Sequence, residues 1–241
     1  MRLSALLLLA SALSAQPRPL PKVEVHPSQR FLQTADGKPF FYLADTAWEL
    51  FHRLNREEAL RYLTLRASQG YNAIQAVAVA ELDGPRDPNP YGDLPFHDAD
   101  PARPDVTPGA NPKNAAAYDY WDHVDYIVEQ ANAEAYGRFL GQRYGSKGVI
   151  WVLGGDRTPT GFEPTWRAMA KGIALGAAGR EDYGAVTMTF HPRGGQTSST
   201  QFHDDAWLDF NMWQTGHGLA ETVKSWEKIA SDYDRLPTKP A

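Results

Sequence analysis

One segment of this chain restricts its fold more than any other. Residues 149–153 form an apolar run that ends abruptly in Gly154, Gly155, Asp156 and Arg157. A continuous apolar run bounded by turn residues is typical of a strand covered on both faces, as in a parallel sheet. Parallel α/β folds bind ligands at the carboxyl ends of such strands. The segment therefore predicts that Asp156 lies at a ligand-binding sheet edge, where the alternative is a carboxylate that only caps a turn or pairs with Arg157.

Apolar runs and helical patterns alternate along the chain. The predicted strands are residues 41–44, 73–79, 150–153, 185–190 and 210–213, and the predicted helices between and after them include 55–69, 164–178 and 220–234. This alternation indicates β-α-β units and a parallel sheet. A spacing of roughly 30 residues per unit fits a (β/α)8 TIM barrel, except that the interval between the second and third of these strands is about twice as long.

The long interval lacks an expected strand. Residues 118–131 and 133–144 both have amphipathic helical patterns with almost nothing between them, and the loop 81–117 is rich in proline, which disfavours a strand. We therefore predict an α/β fold of the (β/α)8 TIM-barrel type that is incomplete because its third strand is missing.

The N-terminus has the pattern of a secretory signal peptide. Arg2 precedes an apolar stretch that is too short to span a bilayer, and small residues follow at a cleavage site. The predicted organisation is a signal peptide at 1–14, an extended lead-in with the start of a hairpin at 15–37, and a partial barrel at 38–241. We expect the protein to be secreted or periplasmic, with no membrane attachment after signal cleavage.

The amino-acid composition limits the classes of binding partner that this protein can have. The formal charge is −5 with no basic tract, so binding to nucleic acid or anionic lipid is not expected. The chain has no cysteine, so an exported form must be stabilised by an ordinary core, which a chain of this length can form.

The predicted strand ends collect side chains suited to a carbohydrate. Amides and carboxylates hydrogen-bond sugar hydroxyls, and aromatic rings cover sugar C–H surfaces. The candidates for substrate binding are Asp45, Thr46, Trp48, Gln75, Arg157, His191, Trp213, Gln214 and His217. Each polar member could instead only hold a loop, and the tryptophans could be core residues, although Trp213 lies directly beside a polar strand end.

Other chemistries have little support. The histidines and aspartates of 119–125 and 203–205 lack a recognisable metal-ligand spacing and are best explained as solvated charges or caps, so no metal is expected. Gly172, Gly176 and Gly179 lie within a helical pattern without the dinucleotide spacing, which favours close helix packing over phosphate binding. We expect no cofactor.

Several motifs together resemble a known family. Residues 36–40, 43–50, 70–75, 151–157 and 214–217 look like the catalytic domain of apiosidase-like glycoside hydrolases (DUF4038 type, glycoside hydrolase family 140). The resemblance implies a (β/α)8 barrel, a carbohydrate substrate on plant polysaccharide side chains and a retaining mechanism. It also implies that an aspartate at the end of the fourth strand, matched here by Asp156, is the catalytic acid/base.

The sequence departs from the family pattern at two places. The family has a strand-containing segment where Ala131 meets Asn132, and it has a glutamate nucleophile near the end of a seventh strand, which would begin after Lys239. The last units of the barrel are therefore also expected to be missing. Two hypotheses follow: an apiosidase-like glycoside hydrolase, or an inactive or fragmentary barrel that at most binds carbohydrate.

Overall fold

The computed structural model describes residues 20–80, 83–106, 130–216, 218 and 224–241. The predicted signal peptide, the helical pattern at 118–129 and His217 lie outside these ranges. None of the described helices is long and apolar enough to cross a membrane.

The described chain is an α/β fold in which strands and helices alternate. The strands are β1 (Val23–Val25), β2 (Leu32–Thr34), β3 (Ala44–Thr46), β4 (Ala73–Gln75), β5 (Ile150–Gly154) and β6 (Thr187–His191). The helices are α1 (Leu50–Arg53), α2 (Arg56–Ser68), α3 (Gln130–Tyr144), α4 (Glu163–Ala178), α5 (Ser199–Phe202) and α6 (Ser225–Tyr233). Single 3₁₀ turns occur at His97–Ala99 and Tyr183–Ala185.

The strands form three separate pairs. β1 and β2 are antiparallel, whereas β3 pairs in parallel with β4 and β5 pairs in parallel with β6. In the described ranges β4 and β5 are not hydrogen-bonded to each other, so the sheet is interrupted where the third barrel strand was expected. The α/β prediction is confirmed, whereas the described strands do not form a closed barrel.

Helix α3 lies at the predicted junction. It begins at Gln130 and runs through residues 131 and 132, where the sequence suggested the boundary between two helical patterns. Of the first pattern only residues 130 and 131 are described, and they belong to the same helix as the second pattern.

Three of the predicted strands differ most from the structure, and one of them, predicted at 73–79, ends at Gln75. Residues 210–213 are irregular, and only Trp213 forms an isolated antiparallel bridge, to Thr197. The Met212 N–H donates to the Ser198 hydroxyl at 2.9 Å, and the Asn211 N–H donates to the Pro240 carbonyl at 2.8 Å. These backbone donors therefore do not extend a sheet. The first parallel strand begins at Ala44 rather than at residue 41, because the N–H of Leu43 is bound by the side chain of Asn72 instead of by a strand.

The N-terminal hairpin also differs in its pairing. After the Asp36–Gly37 turn, the chain pairs with β2 only through a single bridge, between Gln33 and Pro39. The strand partner of β2 is β1. Proline at the bridge has no N–H to continue a ladder, which explains why the second arm does not become a strand.

The main core lies around β5, β6 and α4. Trp151 and Leu153 alternate with less buried residues along β5, and all five residues of β6 are buried. Fully buried side chains of the core include Phe190, Phe202, Ile173, Met188 and Leu208. Trp151 is thus a core residue, and this rigid pair of strands is the support on which the candidate site is built.

Candidate active site

Asp156 lies just beyond the C-terminal end of β5. Gly154 adopts a φ of +83°, and a Cβ there would lie 2.5 Å from the Phe190 ring, so only glycine fits this turn. The next N–H, of Gly155, donates to the carbonyl of His191 at 3.2 Å, which fixes the chain against the end of β6. The Asp156 side chain leaves the sheet edge with 43% of its surface exposed, as the sequence predicted for its position.

Two polar side chains from β6 and the segment after it face Asp156. The Gln214 amide donates to Asp156 Oδ1 at 3.2 Å, and His191 Nδ1 lies 4.0 Å from the same oxygen. The His191 side chain is only 11% exposed, and its Nδ1 has no hydrogen-bond partner in the described part of the chain. A buried ring nitrogen without a partner is costly, so the polar contacts of His191 are incomplete in this part of the structure.

Trp48 joins the first parallel pair to this cluster. It follows β3, and its ring lies edge-on to His191, with ring centroids 5.4 Å apart at an angle of 84°. The Trp48 residue is 37% exposed, so it offers an aromatic surface near the carboxylate. The contact shows that the C-terminal ends of β3 and β6 lie on the same side of the molecule.

The Gln214 backbone is held by the loop after β6. Its N–H donates to the Gln196 carbonyl at 3.1 Å, and its carbonyl accepts from the Gly195 N–H at 2.7 Å. The side-chain oxygen accepts from the Gly216 N–H at 2.6 Å, which leaves the amide nitrogen directed at Asp156. The orientation of the amide therefore follows from its hydrogen bonds.

Trp213 has a cation on one ring face. Lys228 Nζ lies 5.4 Å from the ring centroid, a cation–π distance, and Trp213 Nε1 has no hydrogen-bond partner among the described residues. Only the opposite face could receive a sugar, so the exposed Trp48 is the better platform of the two.

Asp45 is directed to helix α2. Its Oδ2 accepts from the Tyr62 hydroxyl at 2.6 Å and pairs with the Arg66 guanidinium, and its Oδ1 accepts from the Thr46 N–H. The Tyr62 hydrogen bond and the Arg66 charge hold the pKa of the Asp45 carboxyl below its usual value. These contacts tie β3 to α2 and do not bring Asp45 to Asp156.

The remaining candidates lie at strand ends. Thr46 is the exposed last residue of β3 and is paired with Gln75 of β4, whose carbonyl accepts from Ala47 N–H at 2.8 Å. Arg157 is half-buried directly after Asp156. Among the residues that the structure describes there is no group of three or more His, Cys, Asp or Glu side chains that could hold a metal ion.

Sequence reasoning missed the residues that position the site. Tyr62, Arg66 and Lys228 lie on helices whose patterns carried no sign of a functional contact, and Gln196 and Thr197 lie in a loop without a recognisable motif. The contacts Tyr62–Asp45, Arg66–Asp45, Lys228–Trp213 and Thr197–Asp232 join residues that are 15 to 35 positions apart in sequence. No local pattern could therefore reveal them.

Solved glycoside hydrolases resemble this fold. A glycoside hydrolase family 5 structure from Bacteroides vulgatus superimposes with a TM-score of 0.71 at 32% identity, over 91% of this chain and 52% of that chain. A second structure described as a glycoside hydrolase gives a TM-score of 0.70 at 31% identity, over 91% of this chain and 55% of that chain. The chain thus spans about half the length of these structures. The fold and the strand-end carboxylate define a glycoside hydrolase-like domain.

The family profile is more specific. The profile of the apiosidase-like catalytic domain matches residues 26–135 and 129–241. The chain therefore belongs to the apiosidase-like family, as its motifs predicted. The two matched segments meet in the stretch where the sequence predicted a missing strand. A comparison with functionally curated proteins gives no match.

Proposed function

We propose that this protein supplies the acid/base half of a secreted, retaining apiosidase-like glycoside hydrolase that acts on plant polysaccharide side chains. The observation that carries the proposal is Asp156, an exposed carboxylate at the end of a buried parallel strand with Gln214 and His191 beside it. Family membership and the likeness to solved glycoside hydrolases support a carbohydrate substrate.

Asp156 acts first as an acid and then as a base. As the carboxylic acid it donates its proton to the leaving glycosidic oxygen, and as the carboxylate it activates the water that completes hydrolysis. Gln214 holds Oδ1 and so fixes the orientation of the carboxyl group. The Trp48 ring supports a sugar-binding role, because it offers a partly exposed aromatic surface in the same cluster as His191.

Retention of configuration requires a second carboxylate. The two carboxyl groups of a retaining enzyme are roughly 5–5.5 Å apart. Among the described carboxylates, Glu49 is bound by His52 Nδ1 at 2.9 Å and Glu227 by Lys224 Nζ at 3.1 Å, so both already have basic partners. We assign the nucleophile to sequence corresponding to the part of the solved relatives that this chain does not span.

Carbohydrate binding without hydrolysis is the second candidate function. It is favoured by the described part of the sheet, in which β4 and β5 are not hydrogen-bonded to each other and no strand is described between them. Both candidate functions include secretion, because secretion is inferred from the signal-peptide pattern of residues 1–14 and not from the site.

Turnover of two kinds of substrate tests the proposal. The 241-residue chain should not hydrolyse even an aryl glycoside with a good leaving group, because such a substrate removes the need for the acid but not for the nucleophile. A longer form that carries the third strand and C-terminal units of a relative should hydrolyse apiosides or related pentosides.

The Asp156→Ala variant of the longer form separates the two roles. It should slow substrates with poor leaving groups by about 10²–10⁴-fold and affect activated aryl glycosides much less. Asp36→Ala, which removes an exposed carboxylate from the N-terminal turn, is the matched control and should leave both rates unchanged. Hydrolysis of any glycoside by the 241-residue chain, or equal losses on both substrates in Asp156→Ala, would contradict the assignment.

A further inference from the structure

A buried hydrogen-bond network lies behind the candidate site. Asp232, in the last turn of α6, is 3% exposed. Its Oδ2 accepts from the Thr197 hydroxyl at 2.5 Å and its Oδ1 from the Ser199 hydroxyl at 2.6 Å. Arg235 adds a bond from its guanidinium to the Ser199 hydroxyl at 3.0 Å. Both carboxylate oxygens are therefore used to hold the loop that follows β6.

The position of Asp232 is unfavourable for the helix itself. A negative charge in the last turn opposes the helix dipole, and a buried carboxylate loses its hydration. The two hydroxyl bonds offset this cost, because hydrogen bonds to a charged acceptor are stronger than neutral ones. The network thus stabilises one arrangement of the loop relative to α6 rather than the helix.

That loop carries the backbone that holds Gln214. Thr197 forms the antiparallel bridge with Trp213, and its neighbour Gln196 accepts the Gln214 N–H. Lys228, one helical turn before Asp232 on the same face of α6, places its ammonium over the Trp213 ring. Helix α6 therefore contacts both sides of the bridge, through Asp232 on Thr197 and through Lys228 on Trp213.

We infer that Asp232 is a positioning residue for the site: through Thr197 and Ser199 it holds the loop that binds the Gln214 backbone, and Gln214 in turn donates to Asp156. This inference rests on the proposed function, since it assigns Asp232 to the orientation of the catalytic carboxyl group. Asp232 acts only through the loop, because its own oxygens are bonded to the two hydroxyls.

The side-chain amide of Gln214 reports on this role without any turnover. In ¹⁵N-labelled 241-residue protein, the Nε2 proton bonded to Asp156 should be shifted from its position in a free glutamine side chain, and Asp156→Ala should move it back toward that position. Thr197→Val keeps the shape of the side chain and removes the hydroxyl, and it should move the signal in the same direction. Thr197→Ser keeps the hydroxyl and should retain the wild-type position of the signal.

Hydrogen exchange provides a second measurement. The backbone amides of Gly195 and Gln214 should exchange about tenfold faster or more in Thr197→Val, since a hydrogen bond to a charged group is lost. Asp209→Asn changes another partly buried carboxylate, whose partner is the Met188 N–H, and it should neither move the Gln214 side-chain signal nor accelerate exchange. Should Thr197→Val fail to fold, Ser199→Ala tests the other hydroxyl.

Wild-type Gln214 signals and wild-type exchange in the folded Thr197→Val protein would overturn the inference. So would the same changes in Asp209→Asn, because the effect would then be general loosening. Since neither measurement needs a substrate, absence of glycoside hydrolysis by the longer form would count against the proposed function and leave this result intact.

Discussion

Asp209 is the residue whose ionisation is most clearly coupled to folding. Burial raises the pKa of its carboxyl from 3.8 to about 6, although the hydrogen bond from the Met188 N–H and the charges of Lys239 and Lys22 act in the opposite direction. Burial also lowers the pKa of the Lys239 ammonium, which donates to the carbonyls of Asp205 and Leu208. The segment before residue 210 is therefore attached to the start of β6 through a carboxyl group that is only partly hydrated.

The raised pKa predicts how stability changes with pH. Because the folded protein binds the Asp209 proton more tightly than the unfolded chain, the stability from this group is fully present below pH 4 and is lost as pH rises through about 6. Asp209→Asn keeps an oxygen for the Met188 N–H and cannot ionise. Relative to wild type, the variant should be more stable at pH 7 than at pH 4, by at most about 3 kcal/mol.

Urea unfolding of both proteins at the two pH values measures this difference. The comparison between variant and wild type cancels the titration of the other carboxylates. A variant whose stability relative to wild type is the same at pH 4 and pH 7 would show that Asp209 is hydrated in the folded protein.

Among the elements, α3 and α4 pack with their backbones in contact. A Cβ at Gly141 would lie 2.2 Å from the carbonyl oxygen of Ile173, and one at Gly176 would lie 2.2 Å from that of Arg138. Gly137 and Gly172 are equally close to the facing helix. The sequence-based explanation by close helix packing is confirmed for Gly172 and Gly176. It is wrong for Gly179, which is the left-handed C-cap of α4 with a φ of +72° and would meet no atom within 4 Å through a Cβ.

Gly141→Ala should therefore destabilise the protein. Alanine favours the helix by about 1 kcal/mol, but the carbonyl at 2.2 Å is backbone and cannot move without separating the helices. We expect a net loss of about 1–3 kcal/mol or more in the free energy of unfolding, measured by urea unfolding. Gly194→Ala is the matched control, because its Cβ would meet no atom within 4 Å. Equal stability of the two variants would mean that α3 and α4 are further apart than described.

At the scale of the whole molecule, packing is uneven. The β5–β6 pair with α4 has a continuous core, whereas α2 has no buried residue although it begins with a complete capping box between Asn55 and Glu58. Phe41, Phe51 and Leu60 are 79%, 61% and 66% exposed around the β3–β4 unit. The capping box thus favours α2 as a helix, although tertiary contacts bury none of its residues.

An isolated chain with this surface should be marginally stable and prone to aggregate. Exposed strand edges and apolar side chains favour association between molecules. We expect no sharp cooperative transition above about 60 °C in a thermal scan, and concentration-dependent aggregates in light scattering. Leu60→Gln should reduce aggregation without lowering the transition, because Leu60 contributes little to the core. A sharp transition at higher temperature with monomeric protein would contradict this prediction.

Local sequence patterns determined which segments become strands and helices and which carboxylate ends a buried strand. The apolar run before Gly154, the cap at Asn55 and the helical pattern of α4 act between near neighbours, so they could be interpreted without a structure. Tertiary structure alone decided that Asp45 binds α2, that Gln214 and His191 rather than Asp45 face Asp156, and that residues 210–213 pair with a loop. These outcomes depend on which donors and acceptors meet after distant segments pack, and a one-dimensional pattern does not contain that competition.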